Sequence, residues 1–94
     1  MMELRDTVEL MVSDDYEERF LAEYWQTYIR DAKLCQLLRD RGDGKLDFEP
    51  SCSRELLERQ YRAMNEYLVA LKERALVEHI DLYRDVQRFA GKEG

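Results

Sequence analysis

Glycine, proline, cysteine and histidine are all scarce in this chain, and each scarcity excludes something. Four glycines and one proline in 94 residues form no glycine-rich phosphate loop, and none interrupts residues 56–77. The two cysteines, Cys35 and Cys52, lie far apart in the sequence and not in a C-x-x-C pair, so they read as reduced packing residues. The single histidine, His79, has no cysteine or second histidine at ligand spacing, which argues against a zinc site. No apolar run approaches the eighteen or so residues of a membrane span. The first residues, MMELRDTVEL, lack the basic stretch and apolar core of a signal peptide, and the chain is expected in the cytosol. G-x-S-x-G and H-E-x-x-H are missing, and paired acids such as Asp14 and Asp15 are explained by a helix cap. The expectation is a protein that is not an enzyme and carries no cofactor and no metal.

Charge is unevenly placed. The formal net charge is −6, and residues 1–23 hold eight acids against Arg5 and Arg19. Acids and bases balance over the rest of the chain, so the whole imbalance lies in the N-terminal quarter. That distribution disfavours duplex nucleic acid, whose binding rests on neutralising phosphates. The 45% hydrophobic and 38% charged fractions suit a helix-rich globular chain, and 94 residues make one domain, residues 1–94.

The most informative stretch is LLERQYRAMNEYLVALKERALV at residues 56–77. Leu57, Tyr61, Met64, Leu68, Leu71 and Ala75 alternate at spacings of four and three, one stripe of an α-helix. Gln60, Tyr67 and Arg74 stand seven apart along its edge. This predicts a long helix over about 53–80, opened by Ser51, Cys52 or Ser53. A first long helix is predicted over about 14–39, capped by Ser13-Asp14-Asp15 with Glu17 in its first turn. Ahead of it, Asp6 or Thr7 is expected to cap a short helix over 7–12, with Glu9 completing a box over Asp6. Residues 40–52 form the turn, in which Leu46 and Phe48 tuck against the hairpin end. Its Arg41-Gly42-Asp43 tripeptide reads as turn chemistry, and Lys45 stands where a calcium loop needs an oxygen ligand. In the extension 81–94, Asp81 restarts a short helix bearing Leu82, Val86 and Phe89, or the second helix continues to Ala90. The fold class is thus all-α, an antiparallel helical hairpin with Leu57, Met64, Leu68 and Leu71 facing Phe20, Tyr24, Leu34 and Leu38. The first long helix carries more aromatic surface, around Trp25, Tyr28 and Tyr24, than one sister helix covers, and a homo-oligomer is the expected outlet.

Flat rings and guanidinium forks together suit a nucleotide, because rings stack on bases and arginine grips phosphate bidentately. The candidate ligand-binding residues are Tyr16, Arg19, Tyr24, Arg30, Arg59, Gln60, Arg62, Tyr67 and Arg74. Against this stands the ordinary role of tyrosine in packing and of arginine on a solvated face.

Four stretches carry a family resemblance: MELRDTVELM at 2–11, DYEERFLAEYWQ at 15–26, LDFEPSC at 46–52 and LLERQYRAMNEYLVALKERA at 56–75. They resemble a small family of phage and prophage proteins of gut bacteria with relatives in crAss-like phages. The resemblance covers residues 1–82; Ser53 stands where the family commonly has proline, which bears on the helix start alone. It implies residence in the host bacterial cytoplasm. A looser likeness, in architecture and in the small-plus-arginine pattern at Arg74-Ala75, is to the short helical sponge proteins with which phages sequester cyclic-nucleotide immune signals. Those are hairpins of similar length that assemble into oligomers. The function these likenesses imply is anti-defence by sequestering, without cleaving, a nucleotide-derived immune signal. The alternative is a direct protein inhibitor of a host defence enzyme, anti-CRISPR-like, acting through the acidic N-terminal region. A structural role in the virion ranks third.

Overall fold

The computed structural model describes residues 2–84, and it is all-helical over that range. A 3-10 helix at Leu4–Thr7 runs into a single turn of α-helix, α1 (Val8–Met11); two long helices follow, α2 (Tyr16–Gly42) and α3 (Arg54–Glu78). At 1.5 Å per residue the long helices are each about 40 Å long. No helix among the described residues is long and apolar enough to cross a membrane.

Local chemistry explains each boundary. The first capping box forms one turn earlier than the acid pattern suggested. Glu3 N–H donates to the Asp6 carboxylate at 2.8 Å while the Glu3 side chain caps the turn in return. Thr7 is unavailable as a cap because it is fully buried: its hydroxyl donates to Leu4 O at 2.7 Å and accepts from Gln26 Nε2 at 2.9 Å. Asp15, rather than Asp14, caps α2 by accepting from Glu17 N–H at 3.0 Å. Ser13 Oγ meanwhile accepts from Asp15 N–H at 3.0 Å and donates to Glu18 at 2.6 Å.

α2 continues three residues past Arg39, through Gly42. A terminal glycine costs a helix only about 1 kcal/mol, and the chain leaves the helix at Gly44, where φ is +70°. Lys45 N–H reaches Asp40 O at 2.8 Å and Gly44 N–H reaches Arg41 O at 3.3 Å, a Schellman closure. The same device ends α3 with an unusual residue. His79 takes the left-handed conformation (φ 59°), and Ile80 N–H donates back to Ala75 O at 2.9 Å. Ile80 then turns into the core, 7% exposed. So α3 stops at Glu78 and does not run on; Asp81 instead holds a turn through its contacts with Tyr83 and Arg84. Val86 and Phe89 lie outside the described residues.

The core sits at one end of the hairpin. Leu10, Phe20, Leu21, Ala22, Tyr24, Leu68, Leu71, Ala75 and Ile80 form one buried cluster, joined at its edge by Met2, Trp25 and Leu82. The N-terminal turns lie over α2, and the chain after α3 closes the end. Toward the 43–53 connection the stripe thins out: Leu57, Met64 and Leu38 are half-buried, Leu34 is buried, and Phe48 is exposed rather than tucked in.

Part of the aromatic surplus of α2 is covered within the chain. Tyr24 is 1% exposed, and Trp25 Nε1 donates to Leu82 O at 2.9 Å. Trp25 also meets Tyr24, Tyr28 and Tyr83 edge-on at 5.0, 5.3 and 5.9 Å between ring centres. Of the three rings on α2, Tyr24 is thus buried and Trp25 partly covered, while Tyr28 stays 46% exposed.

Candidate functional site

One edge of the hairpin gathers aromatic and ionic groups from both long helices. On α2, Tyr16, Phe20 and Glu23 follow one another at spacings of four and three. On α3, Tyr67, Arg74 and Glu78 answer them in the opposite direction, as antiparallel helices require. The Tyr16 hydroxyl donates to Glu78 Oε1 at 2.6 Å and accepts from Arg74 Nη2 at 2.9 Å. Arg74 Nε donates to Glu78 Oε2 at 3.2 Å, and the guanidinium carbon lies 4.9 Å from the centre of the Phe20 ring. Two turns along, the Tyr67 hydroxyl donates to Glu23.

The electrostatics follow from these contacts. The hydrogen bond from Tyr16, with that from Arg74, holds the Glu78 carboxyl below the ordinary glutamate range. The same bond to Glu78 raises the Tyr16 phenol above its ordinary value. Arg74 is raised in turn, chiefly by its hydrogen bond to Glu78. A depressed carboxyl favours the fold above its unfolded value and loses that contribution as pH falls through the folded value. Glu78→Gln should therefore lower the midpoint of thermal unfolding at neutral pH, with the difference from wild type shrinking as the pH falls through the lowered value of Glu78. A pH-independent difference would refute the linkage.

The nine residues marked from sequence fall into separate places. Tyr16, Tyr67 and Arg74 come together on the edge just described. Gln60 continues that column, but fourteen residues from Arg74 it lies about 21 Å away. There it lines, with Arg59, Cys52, Leu56, Leu57 and Ala63, a cavity of about 370 Å³. Arg19 turns away from the edge to donate to Ser13 O at 2.7 Å. Tyr24 is buried in the core, and Arg30 and Arg62 are exposed on the two long helices. Phe20, Glu23 and Glu78 were not among the nine. The i, i+4 spacing of Arg74 and Glu78 was the signal that could have found the last.

Chemically, the edge offers hydroxyl and guanidinium donors beside the exposed Tyr16 and Tyr67 rings, while the Phe20 ring beneath Arg74 is buried in the core. Among the described residues no group of histidine, cysteine, aspartate and glutamate is arranged to hold a metal ion.

An all-α hairpin with such an edge belongs to the small helical proteins. A family model described as Sequestin matches residues 14–76, both long helices but for the last two residues of α3, and the chain belongs to that family. The name denotes sequestration, the work of a protein that binds and holds a ligand. No curated protein and no solved structure matches the chain.

Proposed function

We propose that this protein is a phage anti-defence factor that binds and holds a nucleotide-derived immune signal in the host bacterial cytoplasm without cleaving it. The observation that carries this reading is Arg74, fixed between the Tyr16 hydroxyl and the Phe20 ring with Tyr67 two turns away on the same helix. A guanidinium so placed can grip a phosphate while the exposed Tyr16 ring beside it stacks a base. The family name supports the sequestering half of the proposal. The carboxylates of Glu78 and Glu23 occupy the same donors in the free protein, standing where ligand anions would bind. The inhibitor reading draws less support, because several N-terminal acids already have work within the fold. Asp15 caps α2, Glu18 accepts from Ser13, and Glu17 accepts from Arg84 at 2.9 Å.

The test is direct. Purified protein is incubated with an extract of cells in which immune signalling has been triggered, desalted, and heat-denatured. Mass spectrometry of the supernatant should then find an intact phosphate-bearing nucleotide derivative, absent when Arg74→Glu protein is used. A supernatant with no released nucleotide, or with cleavage products alone, would count against the proposal.

A further inference from the structure

A second aromatic cluster lies away from the Arg74 edge, where the chain returns over α2 after α3 has ended. Its hub is Trp25, the one tryptophan of the sequence. The indole N–H donates to Leu82 O at 2.9 Å, which pins the half-buried ring against that returning turn. Tyr28 stands beside it from the next turn of α2, and Tyr83 arrives from the returning chain. Both rings are steep to the indole, at 72° and 69°, with centres 5.3 and 5.9 Å from it. Tyr24 closes the cluster from the core side, buried and stacked on Tyr28 at 26°. Burial and the nearby Tyr83 and Tyr28 phenols raise the Tyr24 phenol above its ordinary value, so the three hydroxyls lie close together.

Core packing accounts for Tyr24 and for the covered part of Trp25. It does not account for Tyr28 and Tyr83, which stay 46% and 67% exposed. A single exposed ring is ordinary. Two exposed rings set steeply against a third are two walls and a base of ring carbon, open to solvent. The face of an aromatic ring carries negative charge density and attracts a cation.

The surrounding charge favours the same sign of ligand. Glu18 stands seven residues before Trp25 on the same side of α2, and Asp81 lies in the turn that bears Tyr83. The neighbouring cation, Arg84, is engaged by Glu17 at 2.9 Å and Asp15 at 3.5 Å. Those contacts also narrow the kind of cation. A guanidinium or primary ammonium brings N–H donors that need acceptors, and here the carboxylates have donors already. Asp15 and Glu17 hold Arg84, Glu18 accepts from Ser13, and Asp81 accepts from Tyr83 N–H. A quaternary ammonium has no N–H to satisfy and presents its charge through methyl groups that pack on ring carbon.

We propose that Trp25, Tyr28 and Tyr83 form a binding site for a quaternary ammonium head group of the choline type. The site shares no residue with the Arg74 edge and does not rest on the nucleotide reading.

The single tryptophan makes the test direct. Choline chloride, titrated against sodium chloride at matched ionic strength, should change the indole fluorescence of the full chain saturably. The uncharged isostere of choline, with carbon in place of nitrogen, should bind at least about fivefold more weakly, as should choline to Tyr28→Ala or Tyr83→Ala. Far-ultraviolet circular dichroism should be unchanged in both variants, because both side chains are exposed. Tyr83→Phe, which keeps the ring face and loses the hydroxyl, should bind as wild type does. Absence of a saturable response to choline overturns the proposal. So does an equal response to the isostere, which would mark a merely apolar cleft, and so does binding indifferent to both alanine variants. Phosphatidylcholine vesicles then separate the two sources of the head group. Pelleting with them that is lost in Tyr83→Ala assigns the site to a choline lipid, and choline binding without pelleting assigns it to a free solute.

Discussion

Leu71→Ala should destabilise the protein by about 2–5 kcal/mol, with a clear drop in the midpoint of chemical unfolding. Leu71 is 1% exposed and sits inside the cluster formed by both long helices, Leu10 and Ile80. Truncation there removes buried apolar area and leaves a cavity that three converging segments cannot all close. A domain of this size has a total stability of about 5–15 kcal/mol or less, so the loss is a large share of it. Leu57→Ala, on the same stripe of the same helix, should cost far less, because Leu57 is half-buried at the open end of the hairpin. The pair of variants reads out the one-ended core. Equal losses from Leu57→Ala and Leu71→Ala would show that the two ends are packed alike, and the description would be wrong.

That contrast also marks what the sequence could and could not convey. Helical periodicity tells which residues share a face, so Leu57, Met64, Leu68, Leu71 and Ala75 were readable as one stripe. It does not tell what lies over the face. Leu68, Leu71 and Ala75 are buried because Leu10 and Ile80 arrive from distant parts of the chain, while Leu57 and Met64 have no such cover. The stop at His79 was not legible for a related reason. A non-glycine residue enters the left-handed region when the following side chain gains enough by turning inward, and here Ile80 supplies that gain. Trp25 likewise reads as surplus until Leu82 and Tyr83 are seen to return over it.

The candidate site was legible in kind more than in place. The seven-residue column of Gln60, Tyr67 and Arg74 was visible in the spacing. Which arginines join it depends on the partner helix. Tyr16 and Phe20 reach Arg74 because antiparallel α2 begins where α3 ends. Arg19, one position from Phe20, points off that edge and is drawn to the carbonyl of Ser13.

Arg74→Glu should abolish capture of the immune signal, whereas removing acidic charge near the N-terminus should leave it unchanged or slightly stronger. The reversal puts a carboxylate beside Glu78 in the place of the guanidinium that would grip phosphate. Both the bidentate donor and the local positive charge are lost, and the edge becomes repulsive to an anion. Because Arg74 is about half exposed, the fold should survive, which far-ultraviolet circular dichroism checks. The complementary variant must spare the acids that hold the fold: Asp15, Glu17 and Glu18 have structural contacts, while Glu9 and Asp14 are exposed. Glu9→Gln with Asp14→Asn therefore lowers the N-terminal charge without uncapping α2. A protein that sequesters a polyanion despite a net charge of −6 gains from that neutralisation, since it weakens long-range repulsion. An inhibitor that docks its acidic quarter on a basic enzyme surface behaves oppositely. Its association would slow on losing Glu9 and Asp14, by an amount that shrinks as salt is added, and Arg74→Glu would matter little. Thermal-shift measurements with signal-bearing extract, at low and high salt, separate the two. Loss of protection in Arg74→Glu alone supports sequestration, and loss in the acidic variant alone transfers the function to the N-terminal surface.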